Sequence, residues 1–386
     1  MKNKLIFGFM LLLSLAMFSC KSEDNEPLSI SGDQDEDNTT AVLDESYTYK
    51  LPVIFHVLYT NASDTNQYVT QKRIIEILNN VNELWNTYKF EIDSLGNTQK
   101  INVEFVLANT NEQGKPLTTP GIEYVKYDGE YPIDSHEFMK SSLNKKYVWE
   151  PNEFINIMLF NFKENEEATS TELGISSLPY CLNDSTKLEG LEQIKFSPVT
   201  KKNLSFTYCV CINSLYQSRS YESNRYSYYN RKWGQPLYYS GLDINNTMAH
   251  ELGHYLGLHH VFAEAVKDGS TVDVDSCADT DYCKDTYTYN HKEYIEYLKY
   301  ITQTKENLTM QEVARRNDCL TKKQYKSTNF MDYWAGFSNV FTKEQKQRIR
   351  HVLYYSPLIP GPKRNKSNGT RAVDAGYMVP NPIICN

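Results

Sequence analysis

His250-Glu251-Leu252-Gly253-His254-Tyr255-Leu256-Gly257-Leu258-His259-His260 is the stretch from which the rest of the chain is read. His250 and His254 are four residues apart, so on a helix both imidazoles leave one face and aim at a single point. Ile244, Met248, Leu252 and Leu256 fall on the opposite face, which buries the helix. Gly257 ends it, at positive φ, and turns the chain so that His260 approaches the same point. Three neutral imidazoles leave one tetrahedral position open for water, which is how a catalytic zinc is held. Zinc there would bring the pKa of that water to about 7. Glu251, directly after the first ligand, is placed to take its proton. His259 is off this register and reads as a supporting or surface residue.

Seventy residues downstream stands Asn329-Phe330-Met331-Asp332-Tyr333-Trp334, which reads as an apolar Met-turn, with Met331 as the floor beneath the imidazoles. With this second element the chain resembles the metzincin metallopeptidases, and among them the pappalysin (cytophagalysin) family. Further support comes from Leu51-Pro52-Val53-Ile54-Phe55-His56-Val57 near the domain start. Phe341-Thr342 leading into Gln345 and Arg348 agrees with it too. The resemblance implies an α+β zincin domain: a twisted mixed sheet with a backing helix and the active-site helix, above a smaller, mostly irregular or helical lower part. It also implies a zinc-dependent endopeptidase acting on extracellular proteins or peptides. Tyr333, two residues past Met331, either donates to the tetrahedral oxyanion or is a packing residue. The rival function is a surface lipoprotein that keeps zinc but acts as a binding or adhesion module. Its mark would be a lost Glu251 or His260, and neither is lost.

The chain departs from the family in two places. Asp279-Thr280-Asp281 stands where Asp-Thr-Pro is usual. The acids around it, with Asp273, Asp275 and Asp279 as the candidate ligands, either bind calcium as that loop does in relatives or form a solvated acidic loop. The family's cysteine after the Met-turn is absent, which leaves Cys277 or Cys283 as the partner for Cys319. The polar, helix-prone insertion 288–316 has no assigned counterpart and is expected to shape the primed side of the cleft.

Along the chain, Leu51–Tyr59 is nearly continuous in apolar residues, as in a strand buried on both faces. Ile74, Ile77, Leu78, Val81, Leu84, Trp85 and Tyr88 repeat at helical spacing, predicting a helix over about 70–88. Strands are expected at 101–108, 154–160 and 206–212. Strand, helix, strand is a βα opening and predicts a mixed sheet. Cys209 and Cys211 share one face of their strand and read as packing residues. His56 reads as a satisfied core histidine, and His291 and His351 as solvated. Thr342 and Gln345 predict a capping box for the last helix.

The domain is expected to span 49–355, its upper part ending near 260 and its lower part covering 261–355. A loose tail is expected over 356–386. Lys2 and Lys4, then apolar Leu5–Phe18, read as an export signal over 1–19, too short to span a bilayer. Ala16-Met17-Phe18-Ser19-Cys20 resembles a lipobox, so Cys20 is expected to be acylated and to anchor the protein at a bacterial outer membrane or cell surface. Residues 20–48 are polar and acidic, the composition of a disordered tether. The 386 residues carry 40 Lys and Arg against 48 Asp and Glu, a net charge of −8. With no basic excess, nucleic acid is excluded as a partner. In an extracytoplasmic setting disulfides are permitted.

Overall fold

Val53, Ile54, Phe55, Val57 and Leu58 have no exposed surface, because both faces of their strand are covered: Val53, Phe55 and Val57 join one apolar cluster, and Ile54 and Leu58 join others on the opposite face. In the computed structural model the described residues are 45–86, 99–164, 171–195, 198–219, 244–333, 336, 338, 340–361 and 376–385. β1 (Tyr49–Tyr59) pairs in parallel with β2 (Val103–Leu107) and β3 (Ile122–Lys126) on one edge and with β4 (Ile155–Phe160) on the other. β5 (Gly174–Ser177) runs antiparallel to β6 (Val210–Asn213), which lies parallel to β4. The sheet then continues beyond β5. β7 (Glu264–Lys267) and β8 (Ser270–Asp273) form an antiparallel hairpin, joined to β5 through β9 (Ile384–Cys385). Among the described residues this makes one mixed sheet of nine strands.

α1 (Gln71–Asn86) buries Ile74, Ile77, Leu78, Val81, Leu84 and Trp85. Each such aliphatic side chain contributes about 1.5–3 kcal/mol when fully buried. Trp85 wedges edge-on between Phe105 and Phe341, with ring centroids 5.0 and 5.1 Å away. α2 (Ile244–Tyr255) carries the histidines and packs on α1, β5 and β6. α3 (His291–Thr304) belongs to the insertion and buries Tyr294 and Ile301. α4 (Lys343–Tyr355) begins with the expected Thr342–Gln345 capping box.

Four expectations change. The strand read at 206–212 forms a ladder only from Val210, because Thr207 gives its N–H to Met139 O and its hydroxyl to Ser141 O instead of to a neighbouring strand. The tail 356–386 is not loose where it is described: Leu358, Ile359, Val379, Ile384 and Cys385 are buried, and the last two are β9. His291, read as solvated, is buried; its Nδ1 meets Asp273 at 2.5 Å and its ring stacks on Phe262. His351 is likewise half-buried, bonded to Thr186 O at 2.7 Å. His56 is satisfied in the core by Glu123 and Asn156, at 2.8 and 3.0 Å.

Of the two candidate partners for Cys319, Cys277 forms the disulfide. Cys209 and Cys211 remain buried thiols, 3.6 Å apart. No helix among the described residues is long and apolar enough to cross a membrane. Residues 1–44, with Cys20, lie outside the described residues, as do Tyr88 and Trp334.

Candidate metal centre

α2 ends in a Schellman turn. Gly257 N–H bonds His254 O at 2.8 Å, and Leu258 N–H bonds Gly253 O at 2.9 Å. Gly257 has φ +93°, and a Cβ there would lie 2.6 Å from Val352, so glycine is required both for the conformation and for the contact with α4. Arg348 of α4 fixes the turn by donating to Gly257 O and Glu189 O, at 2.5 and 2.6 Å. The turn returns the chain so that His260 meets His250 and His254.

Each imidazole is tied at Nδ1. His250 donates to Phe330 O at 2.7 Å, His254 to Leu258 O at 2.8 Å, and His260 to Glu264 at 2.6 Å. Carbonyl and carboxylate acceptors require the proton on Nδ1, which leaves the three Nε2 lone pairs facing one another. Their separations are 2.9, 3.1 and 3.1 Å. Lone pairs cannot bond one another, so the arrangement calls for a cation at its centre. Tetrahedral zinc at about 2.0–2.1 Å from each nitrogen would set neighbouring nitrogens about 3.3 Å apart, which this cluster fits closely. Burial, with His260 alongside, pushes the His250 pKa down to about 3, and that of His254 falls well below the usual value. Both are therefore neutral, as ligands must be.

Among the described residues this triad is the one group of His, Cys, Asp and Glu whose ligand atoms converge on a metal-sized site. Asp273, Asp275 and Asp279 do not gather. Asp273 is engaged by His291 and Asp275 by Asn290, while Asp279 pairs with Asp281. Calcium at this loop therefore stays an expectation from the sequence, with hydrogen-bonding partners on the first two carboxylates.

Glu251 is buried beside the triad and its Oε2 has no hydrogen-bond partner among the described residues. Burial, then the nearby Glu172, pushes its carboxyl well above the usual range. β5 passes so close that a Cβ on Gly174 would lie 2.7 Å from Glu251 Cγ. Met331 is fully buried under α2, and a Cβ on Gly253 would lie 2.5 Å from its sulfur. The ring of Tyr333 lies 4.6 Å from that of His260 and 6.2 Å from that of His250, centroid to centroid.

Residues 225–354 match the peptidase M43 family, described as pregnancy-associated plasma protein-A. Over those residues, which hold the triad and the Met-turn, the chain is similar to a pappalysin metallopeptidase domain. No curated protein matches it. Mature mirolysin of Tannerella forsythia, solved with a cleaved peptide, is 22% identical with a TM-score of 0.50, over 79% of this chain and 91% of that one. A promirolysin variant from the same organism is 20% identical with a TM-score of 0.49, over 80% and 81%. The likeness to mature mirolysin extends the metzincin fold beyond the matched segment. Metallopeptidases of that family are zinc-dependent, and the match together with the triad supports a metalloendopeptidase.

Several residues that support this metal centre escaped the sequence reading. Glu264 holds His260 and lies 3.4 Å from His259 Nδ1. Despite burial, the two histidines hold its carboxyl down to about 2. Its position four residues past His260 is a signal that could have been read. Thr280 accepts the Glu264 N–H at 3.1 Å and so fixes that carboxylate's backbone. Below the Met-turn, buried Asp332 accepts from Tyr289 and Ser327 and pairs with Arg316 at 3.3 Å. The Arg316 guanidinium also lies 3.5 Å over the Tyr294 ring. The insertion thus supplies Tyr289, Tyr294 and Arg316 as a brace for the Met-turn.

Proposed function

We propose that the domain hydrolyses peptide bonds of extracellular proteins or peptides, with Glu251 as the base that activates the attacking water. The observation that carries this reading is a buried carboxylate, its Oε2 without a hydrogen-bond partner among the described residues, beside three imidazoles whose Nε2 atoms face one point. When bound, zinc supplies Lewis acidity and a water acidic enough to be deprotonated near neutral pH. His250, His254 and His260 would hold it. Glu251 sits in a water-poor wall between α2 and β5, so its carboxylate is a stronger base than one in water. It can keep the abstracted proton until the leaving amine needs it. Burial first, then Asp273 and Glu264, keeps the Tyr333 phenol protonated at neutral pH. That suits it to donate to the developing oxyanion. The cleaved peptide held by mirolysin, which shares this fold, supports a peptide substrate.

We propose further that the chain is exported and anchored through an acylated Cys20, with 20–48 as the tether to a domain over 49–355. The run Leu5–Phe18, then Ser19-Cys20 followed at once by polar sequence, supports this reading.

The test of the mechanism is Glu251→Gln, which preserves size and touches no ligand. Bound zinc should remain, while cleavage across a broad peptide library falls by about 10²–10⁴. Equal cleavage by wild type and variant would sink the mechanism.

A further inference from the structure

We infer that residues 376–385 are an autoinhibitory strand, held on the edge of β5 where an extended substrate would otherwise add. The inference rests on the peptidase reading above. An endopeptidase must grip backbone near the scissile bond whatever the side chains, and adding the peptide as a strand to a sheet edge does this through main-chain hydrogen bonds. β5 is the strand that lies against Glu251, at Gly174. One of its edges is taken by β6. The other would be open but for β9, which pairs antiparallel with Ile384 opposite Ser177 and Cys385 opposite Ser176. The pairing runs along β5 in the direction of Gly174 and the buried carboxylate, reaching Ser176, two residues from Gly174.

The bonds that hold the segment are mostly those an arbitrary peptide would use. Leu178 N–H donates to Ile383 O at 2.8 Å, Ile384 N–H to Gly269 O at 2.9 Å, and Val379 N–H to Asn203 O at 2.8 Å. The Tyr180 hydroxyl donates to Pro380 O at 2.7 Å. Ile383 shares a cavity of about 280 Å³ with His259 and Glu264, the residue that orients His260. The Cys385 thiol is near enough to Glu264 and Glu251 to feel their charge. The segment therefore spans from the end of β5 to the supports of the metal centre. The ladder to β5 is two residues, short against a usual strand of about five or six, and on its other side the segment pairs with β8 at Ser270 alone.

Ile384→Pro in the full chain removes the N–H given to Gly269 and should release the strand. The expected result is a rise in kcat/KM of about tenfold or more on a short quenched peptide, with zinc content unchanged. A synthetic peptide of residues 376–385 should then inhibit the variant in competition with substrate. Should Ile384→Pro fail to fold, Tyr180→Phe removes only the anchor at Pro380 and should give a smaller rise. A folded variant that cleaves no faster than wild type and is not inhibited by the peptide overturns the inference alone. If zinc-loaded wild type and variants all cleave nothing, the peptidase reading falls first, and this inference with it.

Discussion

His250 and His254 are oriented by main-chain carbonyls, of Phe330 and Leu258, whereas His260 is oriented by the Glu264 side chain. The same division separates the two regions around the metal centre. Above, a helix delivers two ligands at fixed spacing, and its C-terminal end is closed by backbone hydrogen bonds. Below, after Gly257, the chain is largely irregular, and its parts are held by buried charges: Glu264 under His260, and Arg316 with Asp332 under the Met-turn. Regular backbone positions side chains at no further cost in buried charge. Irregular backbone here needs carboxylates, each of which must itself be satisfied. Substitutions should therefore affect the lower region far more than the environment of the two helix-borne ligands, whose acceptors no side-chain change removes.

The largest effect is expected at the brace. Arg316→Ala leaves Asp332 buried without its cation and should cost about 3–5 kcal/mol, read from urea unfolding of the zinc-loaded protein. A loss below about 1 kcal/mol would mean that Tyr289 and Ser327 hold the Met-turn unaided, and the contrast between the regions would dissolve.

A smaller and more specific effect is expected at Glu264. Glu264→Gln can still accept from His260 Nδ1 but no longer adds basicity to the ring, so zinc affinity should fall about 10–100-fold with the fold retained. Competition with a chromogenic chelator measures this. Unchanged affinity would show that the loop-borne ligand is as self-sufficient as the helical pair.

The same contrast explains what was legible beforehand. Four-residue spacing on a helix is a local rule, so His250, Glu251 and His254 are read directly, and Gly257 marks where the helix must stop. The core strands β1 and β4 are legible because burial on both faces demands continuous apolar residues. Asp332 and Arg316 are not, because their partnership joins two irregular segments and no periodicity links them. His291 looked solvated for the same reason: its surroundings, Asp273 and Phe262, come from a distant part of the chain. β9 is too short for alternation to show, and only the sheet reveals why Ile384 and Cys385 are apolar. The acidic loop is legible only as a cluster in sequence: its partners, His291 for Asp273 and Asn290 for Asp275, lie in the insertion.

The central claim is that the three imidazoles hold the zinc on which cleavage depends. The direct measurement is peptide cleavage by the chelator-stripped full chain as zinc is added back, with bound metal quantified in parallel. The account predicts no cleavage without zinc, and activity rising in step with occupancy to a plateau at about one zinc per chain. Cleavage that survives complete removal of zinc would contradict it.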